Sequence, residues 1–459
     1  MTETKADVAP APDSFDLTCE TLIIGAGAGG LVAALAADEA SQSVLVVEAD
    51  PVPAGSTALS AGLIPAAGTS IQARVGIEDD AGRFAADIQK KAGDQNEQSL
   101  VDRLTRHSAP AIDWLSDTFG LPFSVITNFE YPGHSRKRMH GLPTRSGAEL
   151  IDTLRATCET VGIDIVCERR ANRLFFEDGT VKGIAVSRPD GGIETIGCEK
   201  LILACNGFGG NRMLVHQLLP DIENALWFGH DGNRGEALLW GRSIGADLAH
   251  LGSYQGHGNV AHPHGILITW AVITEGGVQV NKHGRRFWNE AQGYSEAARA
   301  VLAQPDGEAF AIFDGRIASI ARQFEDFKQA EAVGAIKTSE TPERLARELG
   351  LPPEAFAETM ASIPVGGVDE FNREFGSEAL QAPFCGVRVT GALFHTQGGL
   401  RTGDNARVIG ADGSGFANLY ACGGAACGVS GKADSGYLSG NGLLSAIVLG
   451  MLAGRAPLS

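Results

Sequence analysis

Residues 19–48 read CETLIIGAGAGGLVAALAADEASQSVLVVE, and this stretch decides the fold. Its residues 21–24 are apolar and β-branched and predict a buried parallel strand, residues 31–40 have helical composition, and residues 43–48 predict a second strand. Gly25, Gly27 and Gly30 stand between strand and helix in the spacing G-x-G-x-x-G. The first permits a tight turn, the second lets a pyrophosphate approach the backbone, and the third lets helix and strand pack closely. The unpaired N–H groups of the helix start then face the phosphates. Glu48 closes the second strand 18 residues after Gly30, where an acid accepts hydrogen bonds from the adenosine ribose. Strand, helix, strand and acid together predict a dinucleotide site.

The segment after Glu48 argues for FAD rather than NAD. Residues 53–62, PAGSTALSAG, form a second loop in which Gly55, Ser56, Thr57, Ser60 and Gly62 can offer backbone and hydroxyl hydrogen bonds to phosphate and flavin. A simple NAD domain would move into another helix there. Residues 416–431, FANLYACGGAACGVSG, give a strand at 419–422 that runs into glycines. That suits a flavin held between the first turn and a returning C-terminal segment.

The chain has 459 residues, 44% hydrophobic and 20% charged, enough for a large core and for two domains or one with an insertion. A net charge of -18, spread without long like-charge blocks, argues against nucleic acid or an anionic membrane surface as partner. The 60 glycines fall in short motifs rather than a period, so they indicate tight turns and close approach to a ligand. No run approaches the ~18 apolar residues of a membrane span. The first 20 residues lack the basic start and apolar centre of a signal peptide. Eight cysteines without C-x-x-C spacing predict free, mostly buried thiols in a cytoplasmic protein, and no metal-ligand spacing is present.

These motifs resemble the flavoprotein family that includes soluble fumarate reductases, succinate dehydrogenase flavoprotein subunits and 3-ketosteroid Δ1-dehydrogenases. AGSTALSAG matches the family's second glycine loop. LILACNGFGG, at 201–210, is similar to its strand ending in A-T-G-G-F, with Ala204 and Gly207 in place and Cys205 and Asn206 replacing the usual Thr and Gly. GRRFWNE at 284–290, HTQGGL at 395–400 and LYACGG at 419–424 follow in the family's order. Gly424 stands where many members carry a glutamate near the ribityl chain. The resemblance implies that Ala204, Asn206, Gly207, Gly423, Gly424, Asn441 and Leu443 join the two glycine loops in holding FAD. No histidine or cysteine lies in AGSTALSAG to tether the flavin, so non-covalent FAD is expected.

The expected architecture is α/β: a Rossmann-like FAD-binding domain with a parallel sheet, helices and a β-meander turning at Asp178 and Gly179, plus an inserted α+β capping domain. Residues 1–17 are expected to be a disordered tail, 18–252 and 395–459 the FAD-binding domain, and 253–394 the cap, with the substrate at their interface.

The resemblance also speaks to the reaction. Fumarate reductases deliver a proton with one arginine, clamp a carboxylate with another, and feed protons inward through an acid and an arginine. Those positions fall on Tyr294, Tyr437, Trp270 and Ile273, and all four charges are gone. The pattern is similar instead to the 3-ketosteroid Δ1-dehydrogenases, which implies α,β-desaturation of a cyclic ketone, steroid-like or a smaller alicyclic such as an oxocyclohexane. Tyr437 and the backbone N–H of Asn441 would polarise the carbonyl while Tyr294 takes the α-proton and the β-hydride moves to flavin N5. A phenol of pKa ~10 is a poor resting base, but a carbonyl held by hydrogen-bond donors acidifies its α-carbon. Tyr131, in FEYPGH, is either a surface-loop residue or a third phenol supporting the base. His257 and His395 occupy positions where fumarate reductases keep substrate-binding histidines. They support the alternative, reduction of the C=C bond of an unsaturated carboxylic acid. Either reaction needs an electron partner outside the chain. A third reading, a flavin-binding electron-transfer subunit without substrate chemistry, lacks a haem or iron–sulfur motif.

Overall fold

The computed structural model describes residues 7–128 and 131–458. They divide into two compact units, the first running to Leu218 and taking in Gly229–Tyr254 and the chain from His395, the second made of Leu219–Phe228 and Gln255–Phe394. The sequence-based boundaries leave Leu219–Phe228 with the first domain. It joins the second because Leu226 and Trp227 pair, as a short parallel strand, with Ala392 and Leu393.

The first unit is built on Leu17–Ile24, whose last four residues are buried. Val44–Val47 and then Asp164–Val166 extend the sheet in parallel on one side; Ile193–Leu203 and then Gly415–Ala421 extend it in parallel on the other. Arg170–Glu177, Thr180–Ser187 and Ile193–Leu203 make the antiparallel meander. Its first turn places Asp178 (φ 51°) and Gly179 (φ 72°) in the left-handed conformation that two-residue hairpins use. The α/β, Rossmann-like architecture is therefore as the motifs imply. The expected tail is not disordered from residue 7 onward. Val8–Ala9 pairs in parallel with Leu174 and Phe175, and Asp16 exchanges hydrogen bonds with Thr195. Backbone pairing outweighs the low-complexity composition there, and residues 1–6 lie outside the described part.

The first helix, Ala28–Glu39, is buried from residue 28 to 37, as a helix apolar on every side must be. It packs on the last helix, Asn441–Arg455, backbone against backbone. A Cβ on Gly450 would lie 2.4 Å from the Gly29 carbonyl oxygen, and one on Gly454 would lie 2.3 Å from that of Ala33. Only small residues allow this approach. The last helix ends on a buried cation: Lys200 Nζ donates to the carbonyls of Ala453, Gly454 and Ala456 at 3.3, 3.0 and 2.8 Å. Carbonyls at a helix C-terminus have no intrahelical donor, so the ammonium's three protons satisfy three of them.

The second unit carries a sheet in the order Ile266–Leu267, Tyr254–Ala261, Phe384–Thr396, Glu308–Asp314, Val278–Val280, with helices alongside. Two of these helices, Pro342–Leu349 and Pro353–Ser362, follow each other closely and are separated by Gly350 (φ 75°) and Pro352. Among the described residues no helix is long and apolar enough to cross a membrane.

Lys200→Met keeps the stem and removes the ammonium, which takes from the Gly454 carbonyl its donor while Ala453 keeps the Ala456 N–H and Ala456 keeps the Gln42 amide. We expect it to lower unfolding stability by roughly 2–4 kcal/mol. A urea midpoint equal to that of the wild type would show that the helix end needs no cation.

Candidate functional site

The glycines of the first turn have different causes. A Cβ on Gly30 would sit 1.9 Å from the Gly25 carbonyl oxygen, and one on Gly25 (φ 103°) would sit 2.6 Å from that of Ala204. The chain's own packing demands both. At Gly27 it demands nothing, since a Cβ there would meet only Thr57 Oγ1 at 3.8 Å. Gly27 lines a cavity together with Gly25, Glu48, Gly55, Asn206 and Glu236. Glu48 is buried and accepts from the N–H of Ala26 at 2.7 Å and of Asp50 at 3.0 Å. It thus holds the glycine turn and keeps lone pairs for a ligand. Asn206 adopts φ 67°, a conformation asparagine tolerates, which explains how it replaces the usual glycine. Glu236 has no motif to announce it. Burial raises its pKa, and its Oε2 has no partner within the described residues.

In the second loop, Thr57 Oγ1 accepts from Ala28 N–H at 3.2 Å and Ser56 Oγ from Asn233 at 3.1 Å, so each hydroxyl keeps its proton to donate. Ser60 departs from expectation. Its hydroxyl donates to the Thr57 carbonyl at 2.7 Å and accepts from Gly62 N–H at 3.1 Å, which ties the loop to itself. Gly62 and Gly207 are fixed by packing, since added Cβ atoms would come within 2.6 Å of the Ser146 carbonyl oxygen and 2.0 Å of Thr396 Oγ1. A Cβ on Gly424 would lie 2.8 Å from the Gly207 nitrogen, so this backbone leaves no room for the glutamate of other members. Gly423 takes φ 58° in the adjoining turn.

Tyr437 sits just before the N-terminus of the last helix. Its hydroxyl oxygen accepts from the backbone N–H groups of Gly440 and Gly442, while burial pushes its pKa up to about 12. His395 packs edge-on to it, with ring centroids 5.5 Å apart. Burial pushes the His395 pKa down to about 4, so the imidazole is neutral at pH 7. The expected donor role of the Asn441 backbone does not hold: its N–H donates to the Leu438 carbonyl at 3.1 Å and closes the turn. In the Asn441 side chain, Nδ2 donates to the Val429 carbonyl and Ser430 Oγ, and Oδ1 is buried and without a partner among the described residues. Tyr131 is half-buried against Leu63, Ile126 and Met139 rather than loose on the surface. The chain after it reaches the tyrosine segment through His134 Nε2 and the Ser439 carbonyl, 3.0 Å apart.

In the second unit, Tyr294 opens the helix Tyr294–Leu302. Its ring stacks on His257 at 5.2 Å, His257 stacks on Phe394 at 5.6 Å, and Phe394 stacks on Phe228 at 5.0 Å. Trp270 meets His257 edge-on at 5.7 Å. His257 Nδ1 accepts from Asn259 N–H at 3.1 Å, and burial pushes its pKa down to about 3, so it too is neutral. The turn before Tyr294 is held by Glu290 of GRRFWNE, fully buried and paired with Arg286 and Arg373. Phe228 and Phe394 were invisible in the sequence, because no periodicity links them to the motifs.

Residues 20–443 match the FAD binding domain family. The chain is 30% identical to the probable fumarate reductase Ifc3 of Shewanella frigidimarina, over 95% of this chain and 74% of that one. It is 24% identical to 4-oxocyclohexanecarboxylate 2-dehydrogenase of Sinomonas cyclohexanicum, over 95% and 92%. Among solved structures, the open conformation of a flavocytochrome c3 fumarate reductase superposes with a TM-score of 0.82 at 29% identity, covering 96% of this chain and 78% of that one. A 3-ketosteroid-Δ4-(5α)-dehydrogenase of Rhodococcus jostii RHA1 shares the fold, with a TM-score of 0.77 at 22% identity over 98% and 99%.

The residues present fit FAD. Gly27 leaves room for a pyrophosphate, Glu48 offers an acceptor, and the buried oxygens of Glu236, Asn441 and Ser445 lack partners that a polar ligand would supply. Gly27→Ala should therefore fold with the stability of the wild-type apoprotein yet bind FAD about tenfold or more weakly, a loss of about 1.4 kcal/mol. Flavin titration of the apoprotein checks this, and wild-type affinity would remove the pyrophosphate from this turn. The chain belongs to the FAD-binding flavoprotein family of the fumarate reductases, and it is an FAD-dependent oxidoreductase acting on carbon–carbon double bonds.

Proposed function

We propose that this protein desaturates a cyclic ketone, of steroid or smaller alicyclic type with an oxocyclohexane favoured, to the α,β-unsaturated ketone. The observation that carries the reading is the charge of the candidate site. Tyr294, Tyr437, Trp270 and Ile273 stand where fumarate reductases of the family hold charges, and burial keeps both His257 and His395 neutral. A buried carboxylate without a cation is costly, whereas a neutral carbonyl needs only hydrogen-bond donors. Similarity to a dehydrogenase named for 4-oxocyclohexanecarboxylate, a ring ketone that also carries a carboxylate, supports the smaller ring.

Tyr437 donates to the carbonyl oxygen. Because its own oxygen is held by two backbone N–H groups, the phenol keeps one orientation, and the hydrogen bond it donates strengthens as the substrate oxygen gains charge. His395 is the second donor, in the place expected of the Asn441 N–H. Tyr294, once its own proton has passed to solvent, removes the α-proton as the phenolate and becomes the phenol, and its stack on His257 fixes the ring during the transfer. FAD, when bound, supplies the acceptor for the β-hydrogen and its electron pair. An electron acceptor outside the chain then restores the oxidised protein. The eight unpaired cysteines support a cytoplasmic setting.

Identity to a probable fumarate reductase favours a second reading, reduction of the C=C bond of an unsaturated carboxylic acid. Anaerobic mixing separates the two. Desaturation is supported if cyclohexanone-type or 3-ketosteroid ketones bleach the bound flavin; the second reading wins if ketones leave it yellow and unsaturated acids reoxidise the reduced protein.

Two outcomes are expected besides. Acid precipitation should leave the flavin in the supernatant, and yellow colour fixed in the pellet would show a covalent tether. Tyr294→Phe and Tyr437→Phe should each keep FAD and lose flavin reduction by ketone roughly 10²-fold or more. Only Tyr437→Phe should also weaken binding of a phenol that mimics the enolate. A wild-type rate in Tyr437→Phe would leave that phenol a packing residue and end the mechanism.

A further inference from the structure

A hydrogen-bond chain in the first unit ends on His395, and its direction is set at the far end. The Val429 carbonyl can only accept, so the atom of the Asn441 amide facing it at 3.0 Å is the nitrogen. The same nitrogen lies 3.1 Å from Ser430 Oγ and donates to it. Ser430 is buried, and its hydroxyl proton has one acceptor among the described residues, Gln397 Oε1 at 2.8 Å. With its oxygen so placed, Gln397 turns Nε2 toward His395 Nδ1 at 2.9 Å. Nδ1 accepts, and the ring's proton is on Nε2. Reversing the Gln397 amide would leave the Ser430 proton buried without an acceptor, at a cost of about 1–3 kcal/mol.

We propose that Gln397 and Ser430 are positioning residues that hold His395 in the Nε2–H tautomer, making it a permanent donor to an oxygen of the substrate. The proposal rests on the reading of His395 as a substrate contact. In the other tautomer Nε2 would present a lone pair to the substrate oxygen, and attraction would become repulsion. Gln397 sits two residues beyond His395 and is itself buried, so the amide cannot swing away to solvent. The titratable side chain packed on the imidazole is Tyr437; burial outweighs the pull of the Thr396 carbonyl toward a protonated ring. Above about pH 5 the donor therefore stays in one state.

The tautomer can be read without any substrate, from the ¹⁵N resonances of labelled histidines in the FAD-loaded protein, with His395→Gln assigning the signal. A protonated Nε2 is expected; a protonated Nδ1 overturns the proposal whatever the substrate is. Gln397→Glu supplies the kinetic arm. A carboxylate beside Nδ1 favours the imidazolium, so the His395 pKa rises. Below that raised pKa both nitrogens carry protons and the Nε2 donor survives; above it the ring keeps its proton on Nδ1 and the donor is lost. Flavin reduction by ketone in Gln397→Glu should thus fall about 10²-fold further at high pH than at low, a limb absent from the wild type. A profile parallel to the wild type overturns the proposal. If Gln397→Glu does not fold, Ser430→Ala breaks the chain by removing one oxygen, and a mixture of tautomers is expected; an unchanged single tautomer overturns the assignment. If ketones fail to reduce even the wild type, the desaturase reading falls, while the resonances still decide the tautomer.

Discussion

The structure depends on the close crossing of its first and last helices. Gly29 meets Gly450 and Ala33 meets Gly454, so the helices run in the same direction with backbones nearly touching. Both N-termini consequently face one end of the unit. From Gly450 back to Asn441 is nine residues, about 13 Å at the helical rise, so the last helix starts well ahead of the first. Two sets of N–H groups are thus staggered on the scale of an extended dinucleotide, one at the glycine turn and one beside Tyr437. A larger side chain at Gly450 or Gly454 would separate the helices and shift this spacing.

The stagger is useful only if the last helix cannot slide. Its C-terminal end is held by Lys200, and by the Gln42 amide, which also donates to the Ala456 carbonyl. Its N-terminal end is held by Asn441, which donates to the Val429 carbonyl and to Ser430. Polar anchors at both ends fix the register that apolar packing along the length leaves free. Precision in the Tyr437 and His395 positions comes from these anchors, because both residues contact the first turn of that helix.

The glycine turn was legible in the sequence because its causes are local. Spacing alone gives a tight turn at Gly25 and close packing at Gly30, and Gly27 is left with no structural cause of its own. Ser60 and the Asn441 N–H were misread for the opposite reason. A hydroxyl or N–H goes to whichever acceptor lies nearest, and for Ser60 that acceptor is the Thr57 carbonyl, while for Asn441 it is the Leu438 carbonyl. Glu236, Phe228 and Phe394 were unreadable because tertiary folding alone brings them to their neighbours. The strand at Val8–Ala9 was missed because its partner lies far along the chain, in the meander.

On the proposed reading, neutral side chains at Tyr294, Tyr437, Trp270 and Ile273 suit surroundings that are themselves without charge. An arginine restored at position 437 alone would be a buried cation facing a neutral imidazole and two backbone N–H groups, all of which present donors or hold none of its charge. Such a charge would lack both solvent and counterion, a cost that a bound carboxylate could relieve only partly without the other members of the set. The converse holds for the histidines. His257, stacked between two aromatic rings, is neutral because burial disfavours its cation, and an acid placed at position 270, whose side chain meets that ring edge-on, would change the balance. Burial keeps both imidazoles neutral, His395 in the first unit and His257 in the second, and the proposed reading assigns them to a substrate whose reacting carbonyl brings no charge.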